Sequence, residues 1–119
     1  MVSKSKMLPK NRRIPRDNFT HILSHGIRFN SSKLLLYLDK MPENSPSRVA
    51  FSVSKKVCPK AVDRNRYRRI GYSVVSKFLS NIKSGYFLFF VYKKGSIPVK
   101  FSILEKEIEA LLSGSYMLE

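Results

Sequence analysis

Residues Tyr86 to Tyr92 read YFLFFVY, an apolar run with no polar interruption. The run is far too short to cross a bilayer, which takes about 20 residues as a helix. Its composition is that of a β-strand covered on both faces. Such a strand belongs at the centre of a sheet, and the remainder of the chain has to supply its cover.

Length and period identify that cover. The 119 residues suit one domain, and with 43% hydrophobic residues the chain can bury a core. From Val62 onward, Ile70, Val74, Val75, Phe78, Leu79 and Ile82 fall mostly in one sector at helical spacing, with Asn65, Arg66 and Arg69 opposite. The spacing predicts a long amphipathic helix, ended by KSG at 83–85. A last helix is predicted from a capping box, Ser102 with Glu105, through Leu104, Ile108, Leu111 and Leu112 to a stop at Gly114.

Upstream, Asp17 can accept from the free amides of a helix start. Phe19, Ile22 and Leu23 follow at i, i+3 and i+4, and Gly26 suits a left-handed end, giving a short helix over about 17–25. IRFN (27–30), KLLLYLD (33–39) and RVAFSVS (48–54) have strand character. The last two are separated by the breaker MPENSPS and read as antiparallel neighbours. In the third segment Val49, Phe51 and Val53 face a core, while Ala50, Ser52 and Ser54 form a small, polar face.

Charge narrows the function. Twenty-three Lys and Arg against eight acids give a net charge of +15, which repels itself in a compact domain and attracts polyanions. No acid lies between Asp63 and Glu105, so the basic surface belongs to the first two-thirds of the chain. Residues 1–14 carry Lys4, Lys6, Lys10, Arg12 and Arg13 with no acid, and read as a flexible basic arm ahead of a single domain at 15–119. The lone Cys58 excludes an internal disulfide, and no apolar segment follows the basic N-terminus, so a cytoplasmic protein with no membrane association is expected.

Side-chain catalysis finds little support. His21 and His25 are four apart, but no acid accompanies them at ligand spacing, so no metal site is assigned. Cys58 has lysines nearby but no identifiable base, and reads as structural. No paired carboxylates occupy the central region, and no glycine-rich phosphate loop occurs anywhere in the sequence. No catalytic residue is assigned.

The stretch KAVDRNRYRRIGYSVV (60–75) is different. Lys60, Arg64, Arg66, Arg68 and Arg69 stand against Asp63 alone, with Lys60, Arg64 and Arg68 alike at successive spacings of four. Solvated helix faces usually mix signs at that spacing. The charge also lies at the helix N-terminus, where the macrodipole is positive and a cation costs roughly 0.3–1 kcal/mol. Phosphates resolve both conflicts, because helix N-terminal amides and guanidinium forks favour the same anion. Nucleic acid is therefore the leading partner, ahead of a membrane surface or an acidic protein. Phe19 and Tyr37 offer stacking faces to unpaired bases, although core packing explains either one alone.

Taken together, VSKKVCPKAVDRNRYRR (53–69) resembles the signature of the bacterial ribonuclease P protein component, in which a strand ends Ser-Lys-Lys and a helix opens Arg-Asn-Arg-x-Lys-Arg. LPKNRRIPRDNFTHILSHGIRF and LLLYL extend the likeness, so that most of 8–113 can be followed. This chain has Tyr72 where that family often has Arg, and Leu23 where it has a cleft aromatic.

The resemblance implies an α/β fold in the order αβββαβα, a mixed four-stranded sheet with helices packed on it, of the ribosomal protein S5 domain 2-like type with a left-handed crossover. It implies the protein subunit of an endoribonuclease in which a catalytic RNA removes the 5′ leader of precursor tRNA. Mg2+ is held mainly by the RNA, and no stable protein partner is required. Lys55, Lys56, Lys60, Arg64, Asn65, Arg66, Arg68 and Arg69 would contact the RNA subunit, and Phe19, Leu23 and Tyr37 the single-stranded leader. The alternative is a general RNA-binding module such as a ribosomal protein.

Overall fold

The computed structural model describes residues 8–119. Its elements are α1 (Phe19–His25), β1 (Ile27–Asn30), β2 (Leu34–Lys40), β3 (Arg48–Ser52), α2 (Ala61–Ser76), β4 (Tyr86–Tyr92) and α3 (Phe101–Gly114). The expected order is observed, in one four-stranded mixed sheet ordered β1-β2-β4-β3.

β4 lies inside the sheet, antiparallel to β2 and parallel to β3. This corrects the expectation that β2 and β3 are neighbours. The strand with apolar side chains on both faces takes the interior position, and the connection after β2 carries β3 to its far side. That connection is bonded to the chain just ahead of β4: Met41 N donates to Gly85 O at 2.8 Å, and Gly85 N to Ser45 O at 2.7 Å. Gly85 holds a φ of +92°, a conformation that side chains rarely adopt.

Alternation along β4 builds two cores. Leu88, Phe90 and Tyr92 join Leu34, Leu36, Val49 and Phe51 under α2 and α3. Phe87 and Phe89 join Ala50, Met41, Ile14 and Ile22 under α1. Each such side chain contributes roughly 1.5–3 kcal/mol when fully buried.

Several boundaries differ from expectation. α2 ends at Ser76, where the bonding tightens: Lys77 N reaches Val74 O at 3.0 Å and Phe78 N reaches Val75 O at 2.9 Å. A 3-10 turn at Leu79–Asn81 follows and keeps the apolar side chains on the core while the chain reverses toward β4. The capping box does not form, because α3 begins at Phe101 with Lys100 at its cap, and Gly114 lies inside the helix. No side-chain cap forms at α1 either, so Asp17 does not serve as its acceptor. Gly26 is extended (φ −67°, ψ 148°) rather than left-handed. Its role is close approach: a Cβ there would lie 2.6 Å from the Ile22 carbonyl oxygen.

Residues 1–7 of the expected arm lie outside the described residues. Residues 8–14 are packed rather than free. Leu8 is buried in the helix-side core, Ile14 in the α1-side core, and Ile14 N donates to Val49 O at 3.3 Å. Two apolar anchors among the basic residues fix this segment along the outer edge of β3.

Candidate RNA interface

The α1 side of the sheet carries a partly open aromatic floor. Register places Arg28, Tyr37, Phe89 and Ala50 in one row across the four strands, and Asn30, Leu35, Val91 and Ser52 in the next. Phe19 of α1 stacks on Phe89 with ring centroids 4.8 Å apart, and Tyr37 lies 6.1 Å from the same ring. Phe19, Tyr37, Leu35 and Val91 are only half-buried, and Leu23, one turn beyond Phe19, is 50% exposed. Phe89, buried in the α1-side core, backs the two aromatics singled out in the sequence. Its signal was the alternation Phe87, Phe89, Val91 within the apolar run, which a strand covered on both faces divides between two environments.

Beyond Ser52 the chain makes a tight turn. Val57 N and Cys58 N donate to Ser54 O at 3.1 and 3.0 Å, which sets exposed Lys55 and Lys56 at the turn and sends the buried Cys58 into the core. This turn links β3, at the sheet edge, to the start of α2, so the two lysines lead into the basic helix.

The crowded charge of α2 is distributed among distinct partners. Arg64 Nη1 donates to Cys58 O at 3.0 Å and Pro59 O at 2.7 Å, which ties the loop to the helix it precedes. Arg68 Nη2 donates to Asn65 Oδ1. Arg66 lies over the Tyr67 ring at 5.4 Å and 3.9 Å from Asp63. Lys60, Asn65, Arg66 and Arg69 are exposed, whereas Arg64 and Arg68 are partly covered. The positions singled out in the sequence therefore do different work, and Arg64 is committed to the loop.

Among the described residues, ion pairs involve only His21–Asp39, Arg66–Asp63 and Lys77–Glu105, so most of the positive charge has no acid against it. Tyr72 points to the sheet. Its hydroxyl accepts from Phe51 N at 3.4 Å, and burial raises its pKa. The position where the resembled family often has Arg is therefore core in this chain. More basic groups flank the β3 edge: Arg12 Nε donates to Ser47 O at 2.8 Å, and Arg48 Nη1 to Arg13 O at 3.2 Å. Partial burial lowers the Arg12 pKa.

His21 and His25 stack with centroids 4.3 Å apart, and His21 Nδ1 lies 2.7 Å from Asp39 Oδ2. Among the described residues no group of three or more His, Cys, Asp or Glu comes together. No described helix is long and apolar enough to cross a membrane. What the arrangement can do chemically is bind: flat apolar faces on the α1 side of the sheet, exposed guanidinium groups on α2.

Comparison with known proteins agrees. The sequence profile described as Ribonuclease P matches residues 8–115. The chain is 32% identical over 116 residues to the Ribonuclease P protein component of Synechococcus sp. (strain JA-2-3B'a(2-13)), covering 94% of this chain and 87% of the relative. It is 34% identical over 99 residues to that of Clostridioides difficile (strain 630), covering 80% and 82%. Its fold is similar to the RNase P protein of Staphylococcus aureus, with a TM-score of 0.81 at 20% identity over 91% of this chain and 98% of that one. The RNase P protein from Thermotoga maritima gives 0.75 at 20% identity over 86% and 96%. The chain belongs to the Ribonuclease P protein family, whose holoenzyme is a metal-dependent endoribonuclease that processes tRNA 5′ ends in partnership with an RNA subunit.

Proposed function

We propose that the chain binds precursor tRNA through its single-stranded 5′ leader on the Phe19–Tyr37–Phe89 floor, and the RNA subunit through Lys55, Lys56, Lys60, Asn65, Arg66, Arg68 and Arg69. Arg64 acts with this surface by holding the loop. The observation that supports the reading is the exposed Lys55–Lys56 turn, which follows β3 at the sheet edge and leads the chain into the basic helix, so that one chain carries both an aromatic floor and a cationic helix. The metal is Mg2+, held mainly by the RNA; the protein contributes no proton or nucleophile. It neutralises phosphates and aligns the leader, which is positioning and electrostatic work. The setting is cytoplasmic, and no stable protein partner is needed.

Aromatic faces take unpaired bases at roughly 1–3 kcal/mol each, and this favours a single strand on the floor. The test is reconstitution: the protein is added to a bacterial ribonuclease P RNA at low magnesium and cleavage of precursor tRNA is measured. Restored cleavage is expected. Phe19→Ala and Tyr37→Ala should weaken processing of precursors carrying a leader of several nucleotides and leave those with almost none little changed. Absence of stimulation by the folded protein would overturn the reading.

A further inference from the structure

An open groove between α2 and α3, walled by Arg66, Arg69, Ile70, Ser73 and Phe101, offers about 250 Å3. Phe101 opens α3 and remains 40% exposed. Lys77 Nζ lies 5.3 Å from its ring centre and is tethered to Glu105 at 2.8 Å; Lys77 is not a wall of the groove. The groove therefore combines an aromatic face, an aliphatic side chain from Ile70 and two exposed guanidinium groups.

We infer that this groove takes an unpaired nucleobase of the RNA subunit, stacked on Phe101 beside Ile70, with the flanking phosphates on Arg66 and Arg69. The inference rests on the RNA-binding reading of α2 and adds to it a site on α3. A duplex alone would give its phosphates to the arginines and leave the aromatic face uncovered. An acidic peptide would likewise satisfy the charges without needing a planar ring. A flat π-system with phosphates on either side uses both the aromatic face and the two guanidinium groups.

The chain has no Trp, so Phe101→Trp installs a unique fluorescent reporter. Titrated with a ribonuclease P RNA transcript, this variant should bind, and its indole emission should be quenched by stacking. Inorganic polyphosphate, which carries charge without bases, should bind without quenching. Phe101→Ala, checked for parental thermal melting, should bind the transcript about 5- to 20-fold more weakly, within the range of base–aromatic stacking. Its salt slope should not change, because no phosphate contact is removed. Unquenched emission in the RNA complex, equal quenching by polyphosphate, or parental affinity of Phe101→Ala while Arg66→Ala still weakens binding would overturn the site. If Arg66→Ala and Arg69→Ala also bound as the parent does, the RNA-binding reading of α2 itself would fail, which is a separable result.

Discussion

The Tyr72 hydroxyl accepts a hydrogen bond from the backbone nitrogen of Phe51 at 3.4 Å, so a side chain of α2 caps an outward-facing amide of the sheet edge. β3 is an edge strand, and unpaired edge amides invite association with other chains. Here residues 13 and 14 cover the edge at Val49 and Tyr72 covers it at Phe51.

Tyr72→Phe keeps the ring against Phe51 but strands that amide. The bond is long, so the expected loss is about 1 kcal/mol, at the low end for an unsatisfied buried donor. Tyr72→Arg should cost more, since it drives a guanidinium into the apolar space beside Phe51. Urea denaturation of the two variants checks the order. Parental stability of Tyr72→Arg would mean that the position faces solvent.

Arg64 and Arg66 are two residues apart and should separate stability from binding. Arg64→Ala removes two bonds to the Cys58 and Pro59 carbonyls and should lower stability by roughly 1–3 kcal/mol. Arg66→Ala removes an exposed group whose nearest acid is 3.9 Å away, and should leave stability nearly unchanged. It should instead weaken RNA binding and reduce the slope of log affinity against log salt by about 0.7–0.9. Melting curves and a salt series on both variants distinguish the roles; a steeper stability loss for Arg66→Ala would reverse them.

High pH should unfold the protein through its buried tyrosines. Burial raises Tyr72 and Tyr92 above the ordinary value of 10.0, and Tyr67 adds to the effect on Tyr92. Above that pH the unfolded chain releases these protons and the folded chain keeps them. Stability is therefore unaffected by them below about pH 10 and falls above it, by at most about 1.4 kcal/mol per pH unit for each tyrosine until the folded chain releases that proton too. Tyr92→Phe should make the decline shallower by one proton. It should also cost about 1 kcal/mol at neutral pH, because Tyr92 donates to Tyr67 O at 2.7 Å. Urea midpoints followed from neutral to alkaline pH test both parts, and an unchanged alkaline slope would count against Tyr92.

Element identity was legible because it is local. The helical spacing of Ile70, Val74 and Val75 and the unbroken run at Tyr86–Tyr92 specify their own secondary structure, and both are observed. The central place of β4 was legible from its own run, but its neighbours were not, because which strands flank it depends on pairing among distant segments, and in the sequence β2 and β3 read as adjacent. The basic site was legible through its conflict with helix electrostatics, but the division of labour within it was not. Arg64 turns back onto loop carbonyls that are fixed only once the Ser54 turn has formed. Phe89 was hidden by its own run, where every residue is apolar and only the register with Tyr37 separates it from the main core. Tyr72 was hidden for a related reason: its position follows the basic stretch, but its side chain follows the buried stripe.

Gly71 sets the distance between α2 and β3. A Cβ there would lie 2.6 Å from Cδ2 and Cε2 of Phe51 and 2.9 Å from Cγ. That ring has little freedom to yield, being stacked on Phe90 at 4.8 Å and met edge-on by Tyr72 at 5.2 Å. Gly71→Ala gains up to about 1 kcal/mol in helix propensity, whereas overpacking a core costs roughly 1–3 kcal/mol. With the ring held on both sides, overpacking should dominate, and the net loss should lower the melting temperature by several degrees, at about 4 °C or more per kcal/mol for a domain of this size. A double variant, Gly71→Ala with Phe51→Leu, tests the cause by removing the obstructing ring. It should be more stable than the sum of the two single losses, because the clash disappears with Phe51. Strict additivity, or a Gly71→Ala protein as stable as the parent, would mean that the helix can stand further from the sheet at no cost, and that the close approach does not fix how α2 presents its basic face.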